Sequence, residues 1–360
     1  MFTIYSDKDI FENIISSPVA YPNWNKIINN HSIVCLDINK DDLDDEKINP
    51  DSSLFIFLQS NASDIVIIPL DNYFQTIYTN PETVIENPSA AYFLKLPEVD
   101  AKKLQEETGV IINCIDNIND DILSKGVNLD WFSDDEINDN WRNILHPFNN
   151  YPSNSLIIND RNLFTNEEKV LGTNQNIGID NLIRILDNLL PQNLKIDYHI
   201  LIQSEQNADP KNKANCDMVA NDLNIKIRNL RKYNFEIEIL FYFSGTKYFK
   251  HTHNRRIFSN YNYGKSDHNI ASFKIRDANK TRNDDSFNLV CFFNKIDSTP
   301  YTANILNAHQ KLTSIYKELV TDCIDKLNKN GPNDRYYRYY LNGIEVTQGK
   351  TTAINNRLLN

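Results

Sequence analysis

The chain has 360 residues, which at roughly 100–200 residues per domain predicts two domains, and 41% of its side chains are hydrophobic, enough for a core in each. No run approaches the roughly 18–20 consecutive apolar residues of a membrane helix. The opening MFTIYSDKDIFENII has no basic segment or small-residue cleavage site, so a cytoplasmic protein with no membrane partner is expected. The net charge of −11 is unevenly spread: residues 1–150 carry 26 acidic and 9 basic side chains, whereas 226–282 carry 13 basic and 4 acidic.

Asp7 to Ser16 reads as a short helix with Phe11, Ile14 and Ile15 on one face. Ile33–Leu36, Leu54–Leu58 and Ile65–Pro69 are apolar runs of strand length. The acidic stretch Asn39–Asp51 between the first two reads as a solvated loop or helix surface. Its carboxylates lack the central glycine and spacing of a calcium loop. Ala91–Leu94, the helix Pro97–Glu107 closed by Gly109, and Val110–Cys114 make a βαβ unit, most simply a parallel crossover. A second acidic cluster, Asp130–Asp139, precedes a short helix, Trp141–Leu145, which His146-Pro147 stops.

A boundary is expected at Asn149–Ser153, giving an acidic α/β domain over 1–150 and a basic α/β domain over 151–360. In the second, strands are predicted at Leu156–Ile158, Leu194–Ile202 and Phe235–Phe243. Helices are predicted at Asn176–Leu190 and Pro210–Lys232. Strand-like runs follow at Arg256–Tyr261, Ile270–Ile275 and Leu289–Phe293, then a long helix, Thr302–Leu327. The polar tail turns at Asn342-Gly343.

Five cysteines (Cys35, Cys114, Cys216, Cys291, Cys323) form no CxxC and are odd in number, which fits small buried hydrophobes in a reducing compartment. Gly349-Lys350-Thr351 and Gly264-Lys265-Ser266 fail as phosphate loops, because Ile344 and Ser259 stand where the first glycine is required. Glu236-Ile237-Glu238 lacks the lysine that a metal-dependent nuclease strand needs, since Leu240 stands there. No cofactor is implied.

Chemistry concentrates between Lys247 and His268. Lys247, Lys250, His251, His253, Arg255 and Arg256 fall within ten residues, after one apolar strand and before another, with Lys265 beyond. Histidine serves as nucleophile or proton carrier, and arginine grips phosphate in a bidentate fork. A zinc site from His251, His253 and His268 is the metal alternative, with no evident fourth ligand. In the tail, Arg335 and Arg338 alternate with four tyrosines in DRYYRYY. That pattern suits stacking and phosphate pairing with single-stranded nucleic acid; the plainer reading is of tyrosines docking the tail onto the protein with the arginines snorkelling.

His253-Asn254-Arg255, four residues, then Asn260 resembles the H-x-K-x4-D signature of the phospholipase D superfamily. The order strand, helix, strand, long helix, strand, then a motif opening a strand is also similar, over about residues 155–293. The resemblance implies that His253 is the nucleophile, Arg255 neutralises the phosphate and Asn260 takes the orienting position. Arginine replaces the family's lysine and asparagine its aspartate, and the chain holds one copy of the motif where active members use two. The implied protein is therefore one that binds nucleic acid or another polyanion through its basic domain, of a kind that would suit a bacterial accessory or defence component. The alternatives are a metal-independent phosphodiesterase or nuclease completed as a homodimer, and a scaffold whose acidic domain meets a protein partner. Catalysis requires His253, Arg255 and Asn260 to converge on one open pocket.

Overall fold

The protein was analysed as a computed structural model, which describes residues 2–60, 65–132, 140–161, 163–164, 177–206, 212–243, 255–266, 270–274, 277, 285–293, 301–330, 337–346 and 356–359. The chain forms two compact α/β units. The first comprises 1–125, 193–195 and 292–306, and the second 126–192, 196–291 and 307–360.

The first unit is built on a parallel sheet of β1 (Phe2–Asp7), β2 (Ser32–Asp37), β3 (Val66–Pro69), β4 (Ala91–Phe93) and β5 (Ile111–Asn113), in the order β3-β2-β1-β4-β5. Six helices connect these strands: α1 (Lys8–Ser16), α2 (Pro22–His31), α3 (Lys40–Ile48), α4 (Ser53–Ser60), α5 (Tyr73–Thr79) and α6 (Glu98–Thr108). Strands covered on both faces read as unbroken apolar runs, as SIVCLD does. Tyr5 stacks on its register partner Tyr92 at 4.7 Å. At the end of β1 the buried Asp7 caps α1 by accepting from Asp9 N at 3.0 Å, and Lys95 Nζ lies 3.1 Å from Asp7 and 2.8 Å from Asp9.

The run Leu54–Leu58, predicted as a strand, lies in α4. Leu54 and Phe57 are buried and Ile56 is exposed, a spacing of three that a five-residue apolar run does not separate from a buried strand. The acidic stretch forms α3, with Leu43 as its one buried residue and Asp41, Asp42, Asp44 and Asp45 exposed.

The second unit holds a nine-stranded mixed sheet, ordered β14-β13-β9-β8-β7-β10-β11-β12-β6. Its strands are β6 (Gly126–Phe132), β7 (Ser155–Asn159), β8 (Tyr198–Gln206), β9 (Phe235–Phe243), β10 (Arg255–Ser259), β11 (Asn262–Ser266), β12 (Asp285–Cys291), β13 (Tyr337–Leu341) and β14 (Ile344–Glu345). After the short α7 (Trp141–Ile144), the helices α8 (Ile177–Leu189) and α9 (Asn212–Arg228) connect β7, β8 and β9, which run parallel. From β10 onward the strands pair antiparallel. The sequence division at residue 150 differs from this arrangement, because β6 pairs with β12 and so places 126–150 in the second unit. No strand forms over 270–274, predicted as strand-like. Instead the buried Asn181 amide holds that segment: Asn181 Oδ1 accepts from Phe273 N at 2.9 Å and Asn181 Nδ2 donates to Phe273 O at 2.8 Å.

One face of this sheet packs under the long helix α10 (Tyr301–Asn330). Tyr316, Leu319, Val320 and Cys323 meet Ile157, Leu201, Leu240 and Phe258 in a closed apolar layer. The predicted turn at Asn342-Gly343 joins β13 to β14, with both residues at positive φ (52° and 82°), the backbone that a tight hairpin of matching twist demands. Among the described residues no helix is long and apolar enough to cross a membrane.

Candidate polyanion-binding rim

In sheets with parallel strands, ligand sites form at the strands' carboxyl ends. Here β7 ends at Asn159, with Asp160 just beyond it, and β8 passes Gln203 and Ser204 before ending at Gln206. The antiparallel β10 begins alongside, on Arg255 and Arg256. Successive strand residues alternate faces, so the two arginines diverge.

Arg255 turns to the face carrying Asp160, whose carboxylate is fully buried. Asp160 Oδ2 accepts from Ile270 N at 2.7 Å, and Asp160 Oδ1 lies 3.9 Å from Arg255 Nε. A buried carboxylate needs such partners to stay ionised, so part of the Arg255 charge is committed within the protein.

Arg256 turns to the face under α10. Its register partner on β7 is Asn159, whose own partner on β8 is Gln203; on the other side its partner on β11 is Lys265. One row of side chains therefore crosses four adjacent strands, from the fully buried Gln203 and Asn159, through the half-buried Arg256, to the exposed Lys265. The Arg256 guanidinium lies 5.5 Å from the Tyr263 ring centroid, and its Nη1 donates to Arg255 O at 3.1 Å. It has no carboxylate partner among the described residues. Tyr316, stacked on Phe258 at 5.5 Å, approaches from α10. Burial pushes its hydroxyl pKa well up, against a smaller downward pull from Arg256, so it stays protonated.

Of the three motif positions, the two that are described, Arg255 and Asn260, stand apart. Asn260 sits in the turn after β10, at the opposite end of that strand from Arg255, roughly 17 Å away at ~3.3 Å per residue. It is fully buried. Its Oδ1 accepts from Asn154 N at 2.9 Å and Ser155 N at 3.1 Å, and its Nδ2 donates to Asn154 Oδ1 at 3.0 Å. Asn260 thus fixes the start of β7 against the turn and is not part of the rim.

Lys247, Lys250, His251, His253 and Arg335 lie outside the described residues, as does His268 of the zinc alternative. Arg338 stands apart on β13, where its Nη1 donates to Tyr337 O at 2.8 Å and its Nε lies 3.5 Å from Glu345. Tyr337, Tyr339 and Tyr340 are buried and dock the tail strand, so these three offer no face to a base; Tyr336 lies outside the described residues. Tyr337 OH donates to Asp322 at 2.7 Å and Tyr340 OH to Asp217 at 2.6 Å.

Asn159, Asp160 and Gln203 escaped the sequence reading. Their signal is the abrupt change from apolar to polar at the ends of two strands, LIIND and ILIQS, which only the parallel pairing turns into a shared rim.

A comparison with protein-family models finds no match, and none of the curated proteins matches the chain in sequence.

Proposed function

We propose that the second unit binds nucleic acid or a related polyanion at this rim, through Arg256 and Lys265 on one face of the sheet and Arg255 at its edge. The observation that carries the reading is the Arg256 guanidinium, which stands at the carboxyl end of β7 with no carboxylate to neutralise it among the described residues. Guanidinium is the side chain best shaped to grip phosphate. The succession β7, α8, β8, α9, β9, then β10 opening on Arg255 is the order that the phospholipase D resemblance implies, and it supports reading this unit as a phospholipase D-like domain. The reading is of binding rather than phosphodiester cleavage, because Asn260 is committed to the β7 turn and the orienting carboxylate is replaced.

The test is fluorescence anisotropy of a labelled single-stranded oligonucleotide titrated with the full chain at several salt concentrations. Three phosphate contacts predict a slope near −2 in log K against log salt, or roughly a 20-fold loss of affinity between 50 and 200 mM. Arg256→Met weakens binding and flattens the slope by about 0.7. No binding at 50 mM salt overturns the proposal.

A further inference from the structure

We infer that the row Gln203, Asn159 and Arg256 is a discrete subsite for one phosphate monoester, either a free nucleotide or the phosphorylated end of a strand. The inference deepens the polyanion reading and rests on it for the sign of the ligand's charge.

It starts from Gln203. The residue is fully buried, and among the described residues neither its Nε2 nor its Oε1 has a hydrogen-bond partner. A buried amide left unsatisfied at both ends is costly, and native proteins retain one where something else completes it. The pleat and the pairing register turn this amide to the same face as Arg256, two strands away. Neighbouring strands are about 4.8 Å apart, so the amide and the guanidinium spring from positions roughly 10 Å apart with Asn159 between them, and a phosphate would lie over Asn159 and be reached from both sides. A second polar atom comes from α10: the Tyr316 hydroxyl is buried, has no hydrogen-bond partner among the described residues, and lies on the ring stacked against Phe258, the next residue of β10 on the Arg256 side.

The donor and acceptor pattern selects the ligand. Arg256 supplies charge and N–H donors, Gln203 Nε2 and the Tyr316 hydroxyl supply further donors, and Gln203 Oε1 requires a donor in return. A phosphate monoester can meet all of these: its anionic oxygens accept, and the P–OH of its monoanion, present below a second pKa of about 6, donates. An internal diester phosphate has no P–OH, and its two ester oxygens are tied up in the chain. A carboxylate would leave Gln203 Oε1 unsatisfied.

The experiment compares the same single-stranded oligonucleotide with a 5′-phosphate and with a 5′-hydroxyl, by calorimetric titration of the full chain, with AMP as competitor. Expected for the unmodified chain is at least a tenfold preference for the phosphorylated strand, which AMP abolishes. Gln203→Leu is expected to erase that preference, and because the amide carries no charge the salt slope of the 5′-hydroxyl strand is expected to stay near −2. The same substitution raises the thermal midpoint by a few degrees, because it replaces an unsatisfied amide with an apolar group of similar size. Tyr316→Phe keeps the stacked ring and is expected to reduce the preference severalfold, a second route should the leucine variant not fold. Equal affinity for the two strands together with no binding of AMP, or a tenfold preference that survives Gln203→Leu, overturns the subsite. If neither strand binds but AMP does, and Gln203→Leu abolishes it, the subsite stands and the polyanion reading falls.

Discussion

Two buried side chains show how single residues are used. Asn260 satisfies two backbone N–H groups at the start of β7 and bonds the Asn154 amide. Asn260→Leu strands these donors in the interior, and stability by urea denaturation is expected to fall by about 2–4 kcal/mol. A residue of that kind matched a catalytic signature in sequence because spacing along a strand does not reveal which end of the strand faces a ligand. His309 is the second case. It lies buried on α10, with Nε2 donating to Ser259 O at 3.1 Å. Burial lowers its pKa to about 4, despite the opposing pull of that hydrogen bond. The unfolded chain therefore takes up a proton near pH 6.5 that the folded chain refuses until about pH 4. The contribution to stability is complete above pH 6.5 and is lost as pH falls toward 4, in total about 3 kcal/mol. Urea midpoints between pH 4.5 and 7.5 check this, and His309→Phe is expected to flatten the dependence over that window.

Among the elements, what the sequence disclosed depended on length and periodicity. The helix α8 and the strands β7 and β9 were legible, α8 because its buried positions recur at helical spacing and β9 because nine residues alternate before turning wholly apolar. The strands β1 and β11 were not. FTIYSD runs directly into a helix with no punctuation, and NYGKS carries polar residues on both faces because it lies within a meander whose neighbours cover it. Gly264 marks the tightness of that meander. A Cβ built there would stand 2.9 Å from Leu289 Cδ1 and 3.0 Å from the Asn288 carbonyl oxygen. The first is to the far end of a leucine side chain, which can shift; the second is to backbone and is tighter than nearly all real Cβ contacts. Gly264→Ala is expected to cost about 1–3 kcal/mol, again read by urea denaturation. The substitution lies one residue from Lys265, so a loss of oligonucleotide affinity beyond that explained by the unfolded fraction would report that the β10–β11 pairing positions the rim.

At the scale of the molecule, the division of charge was legible and the division of structure less so. The acidic character of residues 1–150 and the basic character of 226–282 follow from counting. The membership of β6 in the second sheet does not, because pairing with β12 spans more than 150 residues and leaves no local trace. The candidate site was legible in part for the same reason. Arg255 and Arg256 stood out as a basic pair opening a strand, whereas Gln203 and Asn159 became neighbours of Arg256 only through the parallel register of β7 and β8. The proposed electrostatic binding rests on this arrangement: an arginine with no carboxylate partner among the described residues, and a buried polar row beside it.

The central claim is that Arg256 is the anchor of a polyanion site, and it is tested most directly by the salt dependence of single-stranded oligonucleotide binding in the unmodified chain and in Arg256→Met. The predicted result is a slope near −2 in the unmodified chain, reduced in magnitude by about 0.7 in the variant, with both proteins equally stable in urea. Identical affinities and slopes for the two proteins would contradict it.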